Sequence, residues 1–371
     1  MDELTFSVPC LFGLESLAGD ELKRLQMPSV SVENGRVLFT GGISDLARAN
    51  LRLRTGERVL LRLGRFEARS FEELFQGVRA LPLEEFIPKN GAFPVKGHSL
   101  NSVLHSVPDC QAIIKKAAAE RLGKAYGLGW LPESGAKYQI QFSIMKDVAE
   151  IYLDSSGAGL HKRGYRAVGN DAPLRETLAA GLVTLARYRG KETFLDPFCG
   201  SGTIAIEAAL IARNRAPGLN RSFAAKEWDF VPASAWKDAA EEARDREYHG
   251  EYRIFASDND PKSLSIAISN ARKAGLEGQI HFADADACTR DLPGEAGILV
   301  CNPPYGERML EQRQAQKLYE RFGKRMQGLS GWKQYIISSE PEFERYYGRR
   351  ADKKRKLYNG MIKCDLYMYF K

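Results

Sequence analysis

The chain of 371 residues has no apolar run of eighteen or more, which excludes a membrane-spanning helix. Its first residues, Met1-Asp2-Glu3-Leu4, lack a basic stretch followed by an apolar one, so no secretory leader is expected. Cysteine is sparse. The six residues Cys10, Cys110, Cys199, Cys288, Cys301 and Cys364 form no Cys-x-x-Cys pair. That spacing fits neither a zinc site nor a disulfide framework, so no metal is expected and reduced thiols point to the cytoplasm. Repeats and low-complexity segments are missing as well. So is any charge excess in the first 160 residues: 1–64 carry eight basic and eight acidic side chains, and 65–160 carry eleven of each. A uniformly basic surface is therefore excluded there, although Lys115, Lys116, Arg121 and Lys124 share one helix, as a local stripe or a solvated face. The net charge of +7 falls wholly in 161–371, with 35 basic against 28 acidic residues. A hydrophobic content of 44% and a charged content of 27% are those of an ordinary globular protein, long enough for two or three domains.

The richest local signal is Asn302-Pro303-Pro304-Tyr305, directly after the apolar run Gly297–Cys301, which reads as a buried strand. The Asn side-chain oxygen and a neighbouring carbonyl can both accept from one exocyclic –NH2 group. The two prolines fix φ and remove N–H donors, so the turn is stiff. The Tyr ring offers a stacking face. Two acceptors on one aromatic amine free its delocalised lone pair for a methyl donor. The bland alternative is a strand-end turn with an exposed Tyr.

About a hundred residues earlier, Thr193-Phe194-Leu195-Asp196-Pro197-Phe198-Cys199-Gly200-Ser201-Gly202-Thr203 reads as a strand and a Gly-rich turn before an apolar helix. Gly200 and Gly202 permit close backbone approach at the helix N-terminus. No third glycine follows, which argues against a dinucleotide. S-adenosylmethionine fits better, with Asp196 placed to hold its ammonium group. A second strand, Tyr252–Ser257, ends in Asp258-Asn259-Asp260, where a carboxylate suits a ribose hydroxyl pair. The helix Pro261–Ala274 follows. A third strand, Gln279–Ala283, ends at Asp284, with Asp286 beyond, where an acid can accept from an adenine amine. Singly, each Asp is better explained as a helix cap or turn former; it is the series of strands, each ending in the right residue type, that points to a ligand. The gap from Asp196 to Asp258 is 62 residues, against about 20 in a standard dinucleotide unit. A polar insertion, 214–250, fills it and contains Trp228 and Trp236.

The first 64 residues read as a ferredoxin-like α/β unit: strand Leu4–Val8, helix Leu14–Leu25, strands near Val30–Val32 and Arg36–Thr40, helix Ile43–Leu51 with Ser44 as its cap, and strand Arg58–Phe66. Residues 65–155 supply helix Phe71–Ala80, strand Ala92–Lys96, helix Asp109–Tyr126, and strands Tyr138–Met145 and Val148–Ser155. A Gly-rich stretch, 156–170, reads as a linker. The domain beyond it, 171–371, ends in the strand Lys363–Phe370.

Asn302–Met309, Asp196–Thr203, Gly159-Leu160-His161-Lys162-Arg163-Gly164-Tyr165-Arg166 and Ala172–Ala179 together resemble class I S-adenosylmethionine-dependent methyltransferases. More narrowly they resemble the THUMP-containing RNA guanine-N2 methyltransferases, in particular the bacterial family that modifies large-subunit (23S) ribosomal RNA. The resemblance implies an α/β fold, a Rossmann-like methyltransferase domain (171–371) after a ferredoxin-like domain and an RNA-binding THUMP domain (65–155). It implies a cofactor site of Asp196, Phe198, Gly200, Gly202, Thr203, Asp258, Asn259, Asp284, Ala285 and Asn302, with Pro173–Thr177 closing over it. Asp258 becomes the ribose ligand and Asp284 the adenine ligand, while Asn302, Pro303, Pro304 and Tyr305 form the target-amine site. Longer relatives carry a second methyltransferase; the end of this chain soon after its last strand implies one methylation.

The run Arg345, Arg349, Arg350, Lys353, Lys354, Arg355 and Lys356 holds one acid, Asp352. It reads as an RNA phosphate patch near the sheet end that carries the site, or as a solvated loop. Lys162, Arg163 and Arg166 form a second basic group at the domain junction, and Arg308 a further RNA contact beside the target turn. Large-subunit rRNA is the expected partner and tRNA the second; the same turn suits adenine N6 or a protein glutamine amide. The readings of another class are a non-catalytic RNA-binding assembly factor and a nicotinamide oxidoreductase.

Overall fold

Along Arg36–Gly41 every second side chain is buried, Val37 and Phe39 among them, which is the period of a strand with one face on a core. The computed structural model describes residues 3–166, 174–305 and 309–370. The N-terminal half runs β1 (Leu4–Pro9), α1 (Glu15–Arg24), β2 (Ser31–Glu33), β3 (Arg36–Gly41), α2 (Ile43–Arg52), β4 (Leu60–Glu67), α3 (Phe71–Ala80), β5 (Val95–Leu100), α4 (Val107–Tyr126), β6 (Ile140–Met145) and β7 (Val148–Asp154). These seven strands form one sheet in the order β2-β3-β1-β4-β7-β6-β5. The boundary expected at 64/65 falls inside β4, which pairs with β1 on one side and with β7 on the other. The two N-terminal units therefore share a sheet through one strand. Helix α3 starts as its sequence demands: Ser70 Oγ accepts from Glu73 N at 3.2 Å, and the Glu73 carboxylate accepts from Ser70 N at 3.0 Å. Helix α2 does not use Ser44. Gly42 is its N-cap, with its N–H bonded to Asp45 at 3.0 Å.

The C-terminal half runs α5 (Glu176–Leu185), β8 (Phe194–Asp196), α6 (Thr203–Ala212), α7 (Ala233–Asp245), β9 (Ile254–Asp258), α8 (Pro261–Lys273), β10 (His281–Asp284), β11 (Gly297–Cys301), α9 (Met309–Met326), β12 (Trp332–Ser338), α10 (Phe343–Tyr347), β13 (Lys353–Asn359) and β14 (Ile362–Tyr369). Its sheet has the order β10-β9-β8-β11-β12-β14-β13. The first five strands are parallel, and β14 is antiparallel to both β12 and β13. One core packs on each face of this sheet. From β8 the chain moves outward through β9 and β10, then returns to β11 on the other side. The switch point thus lies between β8 and β11, where ligands of open α/β sheets bind.

The expected linker is packed rather than extended. Ser156, Leu160, Arg163 and Tyr165 are all buried. Arg163 donates to the carbonyl of Leu160 at 2.8 Å and to that of Arg54, and its Nε lies 3.4 Å from Glu207 on α6. Glu57, from the N-terminal half, meets His161 at 3.1 Å, Arg175 at 3.3 Å and the Thr177 hydroxyl. The insertion 214–250 is the second tie. Trp228 stacks on Tyr138 with ring centroids 5.5 Å apart and donates to Lys137 O at 2.9 Å. Trp228, Trp236, Phe223 and Val231 all belong to the core of the N-terminal half.

Two outcomes test this junction. Trp228→Ala should lower unfolding stability by about 3–5 kcal/mol, measured by denaturant titration, because a large buried side chain leaves a cavity. Glu57 gives a pH signature. Burial alone would raise its carboxyl, but hydrogen bonds from His161 and Thr177 outweigh this and hold it below the ordinary range. A lowered folded pKa stabilises above the unfolded value, about 4.3, and that stability is lost as pH falls through the folded value. Glu57→Gln should therefore melt lower than wild type at pH 7, and the two melting curves should converge below pH ~4.

Candidate active site

Asp196 ends β8 with no exposed surface. One carboxylate oxygen accepts from Phe198 N at 3.3 Å, and the other is buried without a partner. Burial pushes its acid well above the ordinary carboxyl range, and the Asp258 charge adds to this. A buried carboxylate with an orphan oxygen calls for a cation. Beside it, Gly200 has φ +50°, and a Cβ there would point into open space. Gly202, at φ +83°, serves packing instead: a Cβ would stand 3.0 Å from that of Ala267. Gly202 is also the N-cap of α6. The loop between them is held by Gly202 N to Cys199 O at 2.7 Å, Cys199 N to Ser257 O at 2.9 Å, and Asn270 Nδ2 to Ser201 O at 3.0 Å.

Asp258 ends β9, partly exposed. Its oxygens accept from Gly200 N at 2.8 Å and Asp260 N at 3.0 Å, which locks two strand ends together and leaves lone pairs for a hydroxyl pair. Asn259 is exposed, and Asp260 caps α8 through the N–H groups of Lys262 and Ser263, each at 3.1 Å. On β10, Asp284 lies opposite Asp258 in register and is exposed. Ala285 N donates to Asp258 O at 3.1 Å. Asp286 is engaged elsewhere: Cys288 N at 2.7 Å and Arg321 at 3.0 Å hold it below the usual carboxylate range. The row Asp196, Gly200, Asp258 and Asp284 thus lines adjacent strand ends. Phe198, partly exposed, packs edge-on against Phe322, with ring centroids 5.0 Å apart.

On the other side of the switch point, Leu299 of β11 pairs with Leu195, which brings Asn302 past the end of β8 beside Asp196. Pro303 is buried, Pro304 is exposed, and Pro304 O accepts from the Tyr319 hydroxyl of α9 at 2.7 Å. Sequence reasoning missed Tyr319, since nothing local connects it to the turn. Tyr305 differs from the expected open platform. Its ring packs against the core on one sheet face, and its hydroxyl donates to Asn302 Oδ1. The turn folds residue 305 back over residue 302. Burial raises the phenol well above its ordinary pKa, so it stays a neutral donor. The hydroxyl takes one of the two lone pairs of Asn302 Oδ1 and leaves the other for a further donor.

Several residues expected at the site or on RNA stand elsewhere. The Thr177 side chain is buried on Glu57, which directs its hydroxyl to the N-terminal half. Thr203 Oγ1 accepts from Arg166 at 2.7 Å, and Arg166 also reaches Leu174 O at 3.1 Å. Arg163 is 3% exposed and bonded inside the junction, so its expected role on RNA is overturned. Lys162 is exposed. The basic run is not a loop: it spans α10, a turn and the start of β13. Strand β13 is antiparallel to β14 and so runs with β12 toward the site, and its first residue, Lys353, lies opposite Met368. Arg349, Arg350, Lys353 and Lys354 therefore lie toward the end of the sheet away from the site, against expectation. Lys354 pairs with Glu344 at 2.9 Å, and Arg349 lies over the Tyr369 ring. Pro173 and Arg308 lie outside the described residues. Among the described residues no group of three or more His, Cys, Asp or Glu side chains could hold a metal ion, and no helix is long and apolar enough to cross a membrane.

A family model for an RMKL-like methyltransferase domain matches residues 163–368. The chain belongs to the RMKL-like methyltransferase family. Models for the RlmL ferredoxin-like domain and the THUMP domain match residues 5–60 and 68–154 of this methyltransferase. It is 44% identical to the "Putative RNA methyltransferase YpsC" of Bacillus subtilis, over all of this chain and 97% of that protein. The solved structure of "SMU.472, a putative methyltransferase complexed with SAH" superposes with a TM-score of 0.94 at 40% identity, covering 100% of this chain and 98% of that one. The ribosomal RNA large subunit methyltransferase K/L of Syntrophotalea carbinolica is 34% identical over 95% of this chain, which spans 52% of that protein. The fold is that of a class I methyltransferase, and the cofactor is S-adenosylmethionine. The orphan Asp196 oxygen, the open space at Gly200 and the Asp258 carboxylate fit the ammonium, chain and ribose of this group.

Asp196→Asn should weaken S-adenosylmethionine binding ten- to a hundredfold, from loss of a charge-assisted bond of roughly 1.5–3 kcal/mol. Asn302→Ala should leave that affinity nearly intact while cutting single-turnover methyl transfer. Calorimetric titration and quenched-flow assays separate the two.

Proposed function

We propose that this chain methylates the exocyclic N2 amine of a guanine in large-subunit ribosomal RNA. The observation that carries the reading is the acceptor turn Asn302–Tyr305 set directly across the switch point from the orphaned Asp196. The THUMP match and the relatives named for RNA, one of them for the large ribosomal subunit, support the substrate class. S-adenosylmethionine, when bound, supplies the methyl group. The protein's part is placement. Asn302 Oδ1 and the Pro303 carbonyl accept from the two hydrogens of the target amine and turn its lone pair toward the methyl donor. The prolines and the Tyr319 hydroxyl keep these acceptors fixed, so little reorganisation accompanies transfer. The Tyr305 ring stacks on a base flipped out of its helix. No strong base is needed, because the methylated amine becomes acidic and can lose a proton to water. Six unpaired, buried cysteines fit action in the reducing cytoplasm.

The test is methyl transfer from labelled S-adenosylmethionine to unmodified large-subunit rRNA, small-subunit rRNA and tRNA in parallel, with nucleoside analysis. N2-methylguanosine from the large-subunit pool is the expected product. The same nucleoside from tRNA, or N6-methyladenosine from any pool, would overturn the assignment of substrate or of base.

A further inference from the structure

At the opposite end of the second sheet from Asn302 lies a cleft of about 1050 Å³ between α1 and the end of α2 on one side and the starts of β12 and β13 on the other. Eight Lys or Arg side chains line it against two carboxylates, Asp20 and Glu21. Glu21 is already engaged, accepting from Arg54 N at 2.7 Å and from the Thr55 hydroxyl at 2.8 Å. Three buried polar atoms without a hydrogen-bond partner belong to residues that line this same cleft: Arg52 Nη1, Arg54 Nη1 and the Tyr188 hydroxyl. The nearest carboxylate to Arg52 Nη1, that of Glu242, stands 3.9 Å away, beyond hydrogen-bond range. Tyr188 is 2% exposed. The carbonyls of Leu210 and Arg215 hold Arg54 Nη2 at 3.3 and 2.9 Å, which orients the guanidinium and leaves Nη1 unmet. Burial lowers Arg54 to about 10, with the cations Arg163 and Arg52 adding to the effect against Glu207 and Glu21. It is still charged at neutral pH.

Eight cationic side chains around one cleft, against two carboxylates of which one is already engaged, describe a place for a multivalent acceptor with negative charge. Exposed Lys333 and Lys353 stand at the methyltransferase rim of the cleft and extend the positive field outward. We propose that this cleft binds backbone phosphates of the RNA substrate, at a position separated from the methyl-transfer site by the length of the sheet. Strands of five to seven residues set that separation at roughly 15–25 Å. The cleft thus clamps a segment outside the target nucleotide and carries no base selectivity. This rests on the RNA reading above.

The test uses the full chain and the double variant Lys333→Gln/Lys353→Gln, whose side chains are exposed. S-adenosylmethionine affinity should stay at the wild-type value, since these residues lie at the far end of the sheet. Equilibrium affinity for the methylated RNA should fall, and the slope of log K against log salt should drop by about one per lost phosphate contact. Lysine acetylation at 333 and 353 should be slowed by RNA in the wild type. An unchanged salt slope together with unprotected lysines, in a wild type that does methylate RNA, would overturn the cleft alone. A wild type that methylates no RNA would overturn the RNA reading and this occupant with it. Protection by inorganic phosphate or tripolyphosphate but not by RNA would replace the backbone with a small anion and reject the proposal.

Discussion

The ion pairs at the junction of the two sheets are the constraint on which the rest of this structure depends. Glu57 reaches across from the first half to His161, Arg175 and Thr177, and Arg163 reaches back from the second half to the carbonyls of Leu160 and Arg54. Arg163 and Thr177 are withdrawn from water and Glu57 mostly so, so each is tolerable only while its partners stay in place. The segment that carries them leads into α5, and Arg166 on the same segment holds Thr203 at the start of α6. Displacing the junction therefore displaces the helix that follows the glycine loop.

The site applies a related logic with the sign reversed. Asp196 is buried with an oxygen that meets nothing, an arrangement that costs stability and is maintained by the packing around it. Asp258 ties its strand to the glycine loop, while Asp260 caps α8 and Asp286 closes a turn and pairs with Arg321. Acids of similar local sequence thus divide into one with an unmet oxygen, one that braces the loop beside it, and two that are spent on a helix cap, a turn and an ion pair.

Much of this is legible in local sequence. The ends of β8, β9, β10 and β11 follow from short apolar runs stopped by Asp or Asn, and the stiff turn after β11 follows from two consecutive prolines. What escapes depends on contacts distant along the chain. Arg163 reads as a surface cation because its acceptors include carbonyls more than a hundred residues away. The basic run reads as belonging to the wrong end of the sheet because its position depends on the direction of β13, which pairing with β14 decides. Trp228 and Trp236 sit in a polar insertion whose partners lie in another domain. A tryptophan pair in an otherwise charged segment is the available signal that the insertion is buried on something.

The shared strand β4 has a mechanical consequence. The two N-terminal units cannot move independently, since the hydrogen bonds on either side of β4 would shear. The same body is bolted to the catalytic half by the tryptophan insertion. A surface on that body and the pocket at Asn302 are then two fixed marks on one gauge. On the function proposed above, a substrate held at the first mark presents to the second only the nucleotide that its own fold puts at the right distance. On the proposed reading, selection becomes a matter of length and shape in the substrate.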